Sequence, residues 1–152
     1  MRFDVASAEN AVNENKLETW LDDYLSVEEW ANPGLRDGLK KAQRWWVGPI
    51  ELPLSMLHRK CGPEAHMPYR VREDWWEEKI TRIAAGITDK RELPPLIAEL
   101  QGDKLLLADG NHRYEALGRA GFASAWVLVW YNSAEDHARH SPILRPYHSS
   151  SN

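Results

Sequence analysis

Residues 107–132 read LADGNHRYEALGRAGFASAWVLVWYN, and their order constrains the fold more than any other stretch. An apolar strand, Lys104 to Ala108, runs into Asp109-Gly110-Asn111-His112-Arg113. A helix follows over Tyr114 to Ala120, closed by Gly121. Ala125 to Tyr131 is then nearly continuous in apolar residues, the pattern of a buried strand. Strand, polar corner, helix and buried strand in that order predict an α/β domain.

Upstream, the pattern is helical. Leu17, Trp20, Leu21, Tyr24 and Leu25 recur at helical spacing, which predicts one amphipathic helix over residues 10–25. Ser26-Val27-Glu28-Glu29 has capping-box form and predicts a short second helix. Asn32-Pro33-Gly34 breaks the pattern, and residues 36–46 read as another helix. Residues 1–46 therefore form a helical N-terminal extension, and 47–142 the main domain. Residues 49–54 are a strand that Pro53 confines to an edge or an end. Residues 55–70 are loop-rich. A helix starts near Arg72, with Trp76, Ile80, Ile83 and Ile87 on one face. Residues 96–100 and 104–108 pair as a hairpin through Gln101-Gly102-Asp103. A polar helix follows over 133–140, and 143–152 is a disordered tail.

Composition narrows the function. The net charge of −4 removes a strongly basic duplex-binding footprint at whole-chain level. Cys61 is the single cysteine, so no internal disulfide forms, which fits a reducing cytoplasm. No apolar run is long enough to span a membrane. Eight tryptophans are unusual for this length. They are expected to fill a core, with a partner surface on the Trp-rich helices as the alternative. Trp45-Trp46 and Trp75-Trp76 also suit stacking on single-stranded nucleic acid, though packing explains them more simply.

The corner carries the chemistry. A helix start leaves backbone N–H groups unpaired and bears partial positive charge, so it accepts phosphate. Gly110 permits a tight turn and close ligand approach. His112 and Arg113 add donors, and arginine matches phosphate oxygens in pairs. Asp109 has three possible uses: magnesium ligand, orienter of His112, or base. A simpler reading has Asp-Gly as an ordinary turn and Asn111 as a helix cap.

Asp109-Gly110-Asn111-His112-Arg113-Tyr114 resembles the conserved box of the ParB/sulfiredoxin superfamily. Ile50–Leu54 resembles its first strand, and Pro68-Tyr69-Arg70 its Pro-Arg box, in altered spacing. The likeness spans residues 48–132. It implies a small mixed sheet with packed helices that binds ATP, ADP or CTP, the phosphates lying at this corner. The superfamily's chemistries diverge: sulfinic-acid reduction, phosphorylation of free serine, CTP hydrolysis in a DNA clamp, and nuclease activity. Sulfiredoxin chemistry needs a cysteine where Asn111 stands, and Cys61 is remote in sequence. The Asp-Gly-x-His-Arg form is closer to the free-serine kinase branch. That branch implies Asp109 and an upstream glutamate as catalytic residues. Glu64 lies in the corresponding loop, with Glu51 as competitor.

The expectation is a nucleotide-binding protein that hydrolyses ATP or a related nucleotide, or transfers its phosphoryl group. Gly110, Asn111, His112, Arg113 and Arg70 bind nucleotide, and Asp109 holds Mg²⁺. A ParB-type DNA-binding or nuclease module, with nucleotide as switch, is the alternative. It is weakened because only residues 133–152 follow the domain's last strand, too few for a helix-turn-helix and a dimerisation tail. A third reading is an interaction protein that keeps the fold without turnover.

Overall fold

The computed structural model describes residues 2–148. In chain order the helices and strands are α1 (Val5–Asn13), α2 (Leu17–Tyr24), α3 (Pro33–Leu39), β1 (Trp45–Pro53), β2 (Leu57–His58), β3 (Cys61–Gly62), β4 (Tyr69–Arg70), α4 (Glu73–Gly86), β5 (Leu96–Gln101), β6 (Lys104–Asp109), α5 (Asn111–Arg119), β7 (Ser124–Tyr131) and α6 (Ala134–His140). The main sheet is mixed, with strand order β1-β7-β5-β6-β2. β5 and β6 form the expected antiparallel hairpin, while β5 runs parallel to β7. β1 is an edge strand, as Pro53 requires.

β7 is buried on both faces, which its continuous apolar run demands. One face of the sheet packs Val127, Val129 and Leu107 against Leu117 of α5 and Leu144. The other packs Ile97, Leu128 and Trp130 against Trp20, Leu21, Tyr24 and Leu25 of the N-terminal helices. The helical extension is thus a full second layer of the domain. Each of these large side chains contributes roughly 1.5–3 kcal/mol relative to exposure, so the layer is integral to the fold.

Four elements differ from the sequence reading. The helix expected over 10–25 is two helices, because Asn15 takes a left-handed φ of 58° and breaks it. The first helix begins earlier, where Asp4 and Ser7 cap each other in a capping box. The expected helix after Ser26 is a single 3-10 turn, Glu28–Trp30, with no side-chain cap. Asn32-Pro33 opens a helix: the Asn32 side chain accepts from Leu35 N at 3.3 Å, and Pro33 takes the first-turn position that lacks a donor need. That helix stops at Leu39, and Trp45-Trp46 begin β1, where aromatic and β-branched residues fit a pleated surface. Arg44 caps the stop by donating to the Gly38 carbonyl at 2.9 Å. A 3-10 helix over Ser141–Tyr147, with Leu144 fully buried, takes in residues 143–147 of the region read as tail. The disorder expected for residues 149–152 falls outside the described residues. Among those described, no helix is long and apolar enough to cross a membrane.

Candidate functional site

The corner divides its side chains between two sides. α5 starts at Asn111, so Asn111, His112 and Arg113 make up its first turn. Gly110 precedes it with φ of 91°. A Cβ there would lie 2.5 Å from Leu96 Cδ2 and 2.9 Å from Arg113 Nη2, so only glycine fits. No side chain caps the helix.

Three corner side chains are committed inward. Asp109 Oδ2 accepts from Tyr24 Oη at 2.7 Å and from Arg113 Nη2 at 2.9 Å, and its Oδ1 accepts from Asn32 Nδ2 at 3.2 Å. Arg113 also donates to the Pro94 carbonyl at 2.6 Å and to Tyr24 Oη at 2.7 Å. Its guanidinium lies 5.0 Å from the Trp30 ring. Burial pushes the Tyr24 hydroxyl pKa well up, opposed by Arg113 and reinforced by Asp109, so the hydroxyl stays protonated and donates. Asn111 is buried: its Oδ1 accepts from Lys60 N at 2.8 Å and Cys61 N at 3.2 Å, and its Nδ2 donates to Leu107 O at 3.2 Å. It staples the start of β3 to the end of β6.

A groove of about 660 Å³ opens on the other side. Lys60, Cys61, Tyr69, Lys79 and His112 line it near the corner. Lys60 and Lys79 are both half-buried. Neither has a carboxylate partner among the described residues. Their ammonium groups lie over aromatic rings instead, Lys60 at 5.7 Å from Tyr69 and Lys79 at 5.1 Å from Trp75. Burial lowers the Lys79 pKa, helped by Arg82 and Arg113. His112 packs on Trp75 and Trp76, with ring centroids 5.0 and 4.6 Å away. Burial, then Lys79 and Arg113, push its pKa down to about 4, so the ring is neutral near pH 7. Its Nε2 is buried without a partner. The Cys61 thiol is pushed up by burial, against Arg59 and Lys79.

Of the residues proposed from sequence, Asp109, Gly110, Asn111 and His112 line this groove. Arg113 does not: its guanidinium lies beneath Trp30 and Pro94. Glu64 pairs with Arg59 in a separate cleft shared with Glu77, Glu115 and Arg119. Arg70 is exposed and donates to Pro63 O at 3.1 Å. Glu51 sits on β1, held below the usual carboxylate range by Lys90 and then Ser124. Magnesium does not fit Asp109. Three of its roughly four acceptor positions are filled. Among the described residues, no group of three His, Cys, Asp or Glu side chains gathers to hold a metal.

Sequence reasoning missed Lys60 and Lys79, and it missed Tyr24 and Asn32, which reach the corner from the N-terminal helices. One signal was present for Lys79. Trp75 and Lys79 are four residues apart, and that spacing on a helix puts a cation on an aromatic ring. Cys61, remote in sequence, is brought beside Asn111.

No family model and no curated protein matches the chain. Solved structures do. Sulfiredoxin from Arabidopsis thaliana is similar at 21% identity and a TM-score of 0.42, over 64% of this chain and 97% of that one. C-terminally truncated chromosome-partitioning protein ParB from Caulobacter crescentus, complexed to the centromeric parS site, is similar at 21% identity and a TM-score of 0.38, over 52% of this chain. The same protein complexed with CTP-γ-S is similar at 20% identity and a TM-score of 0.37, over 70% of this chain. The chain spans 37% and 56% of the two ParB chains. The chain's own elements, a mixed five-stranded sheet with helices packed on it, make it an α/β protein.

Proposed function

We propose that the protein binds the phosphate chain of a nucleotide in the groove at the start of α5. The observation that carries this reading is the pair of half-buried lysines, Lys60 and Lys79, which line the groove without a carboxylate partner. An ammonium withdrawn from water is costly unless an anion meets it. The first turn of α5, uncapped by any side chain, adds N–H donors and the positive end of a helix at the same place. The groove is also the right size for a small ligand, since such sites run from about 300 to 1,000 Å³.

In this reading the amides at Asn111, His112 and Arg113 and the two lysines hold phosphate oxygens. Gly110 lets the backbone approach. Asp109 and Arg113 fix the shape of the corner from behind. ATP hydrolysis and phosphoryl transfer are further steps, and they need a base. The carboxylates lining the groove are Asp109 and Glu99, and both accept hydrogen bonds from neighbouring side chains. Binding with slow turnover is the outcome this arrangement favours. Duplex DNA is less well suited: the chain is acidic, and the two free lysines sit within a groove rather than along a face.

Isothermal titration with ATP, ADP and CTP, with and without Mg²⁺, tests the reading, alongside phosphate release. Saturable binding that weakens with salt is expected, little altered by Mg²⁺. No binding of any of the three at millimolar concentration would overturn it.

A further inference from the structure

The groove does not end at the lysines. It continues across the sheet face covered by the N-terminal helices, over Ala108 to Glu99 and Trp130. In strand order that is from β6 across β5 to β7. Neighbouring strands lie about 4.8 Å apart, so the arm reaches about 10 Å from the corner. Its floor is Ala108 and Trp130, and its outer wall is α3.

α3 presents Leu35 and Leu39 to the groove, and between them Gly38 presents no side chain. Gly38 is half-buried, yet a Cβ built there would meet no atom within 4 Å. The open space in front of it adjoins the groove that Gly38 lines. The far end is polar, with the Glu99 carboxylate and Arg44, whose guanidinium donates to the Gly38 carbonyl at 2.9 Å and lies 6.0 Å from the Trp130 ring centroid. An apolar slot with a bare glycine wall and polar groups at its end suits a flat heterocycle with a hydrogen-bonding edge.

Resting on the phosphate reading above, the geometry points to a nucleobase seat between α3 and the β6–β7 face, kept open by Gly38. The wall of the seat comes from the N-terminal helices, so these helices set how tightly a nucleotide is held beyond its phosphates. The competing position for a base is Tyr69, exposed at the opposite end beside Lys60.

Titrations of the full chain with ATP, CTP and inorganic tripolyphosphate decide the matter. Wild type should bind the nucleotides about tenfold or more tightly than tripolyphosphate, the scale of stacking one base. Gly38→Leu should bring nucleotide affinity down to that of tripolyphosphate and leave tripolyphosphate binding unchanged. Leucine is a better helix former than glycine, and Gly38 lies outside the left-handed region, so the helix should hold. Tyr69→Ala should leave the ratio of nucleotide to tripolyphosphate affinity unchanged. Equal binding of nucleotide and tripolyphosphate, with Gly38→Leu silent, would overturn the seat and leave the phosphate reading standing. A fall of that ratio in Tyr69→Ala rather than Gly38→Leu would also overturn it. If no probe binds wild type, both readings fall. Should Gly38→Leu lose tripolyphosphate too, Gly38→Ala decides: a loss confined to nucleotides sustains the seat, and no loss overturns it.

Discussion

Arg113 and Lys79 are both cations beside the first turn of α5, and the protein treats them differently. Arg113 is 4% exposed and meets a carboxylate, a hydroxyl, a carbonyl and an indole face. Lys79 is half-buried, borders a groove and, among the described residues, has no carboxylate partner, its ammonium lying over the Trp75 ring. The difference separates membership of a motif from a place on the groove. The Asp109–Arg113 pair builds the corner by tying it to Tyr24 and Asn32. The lysines, which belong to no motif, supply the unmatched charge. Guanidinium suits the buried role because its fixed fork satisfies several acceptors at once, whereas an ammonium on a flexible stem suits a phosphate arriving from solvent.

The largest effect should come from the buried side. Arg113→Met leaves Asp109 charged without its partner, and should cost about 3–5 kcal/mol in urea unfolding. A loss under 1 kcal/mol would erase the distinction between the two cations. Asn111→Ala strips partners from two amides and a carbonyl, and should cost about 1–3 kcal/mol by the same measurement. It would sharpen the comparison by showing that the inward side chains hold the corner together.

His112 gives a pH-dependent test. Its folded pKa of about 4 lies below the ordinary value near 6.5, so the unfolded chain binds a proton that the folded one refuses. Stability should therefore fall as pH drops from about 6.5 towards 4, and His112→Gln should flatten that slope. His140 is shifted in the same direction by burial, so the contribution of His112 is the difference between variant and wild type. Identical slopes from pH 7.5 to 5 would contradict the buried, neutral ring. The smallest effect on stability belongs to Lys79→Met, which removes no ion pair and should stay within about 0.5 kcal/mol of wild type.

Much of the fold was legible because its signals are local. The apolar run of β7, the hairpin at Gly102, the stripe on α4 and the polar helix α6 all lie where the sequence indicated. The misreadings share a cause: tertiary contacts override local pattern. Asn15 tolerates the left-handed region, yet no glycine or proline marks a break there, and Trp45-Trp46 join a strand because β7 waits to pair with them. The corner itself was visible as a strand-to-helix turn with a glycine. The direction of each side chain was not, because Arg113's partners Tyr24 and Pro94 lie 89 and 19 residues away. The lysines were hidden for the same reason, since Lys60 and Lys79 meet only once β3 and α4 are placed against α5.

The most direct test is calorimetry with tripolyphosphate and ATP on wild type and on the Lys60→Met/Lys79→Met double variant, with urea unfolding of both. Wild type should bind both ligands, while the double variant should bind them at least about tenfold more weakly, for the loss of two charge-assisted contacts, at an unfolding free energy close to that of wild type. Undiminished affinity in a folded double variant, or no binding to wild type, would contradict the assignment of this groove to phosphate.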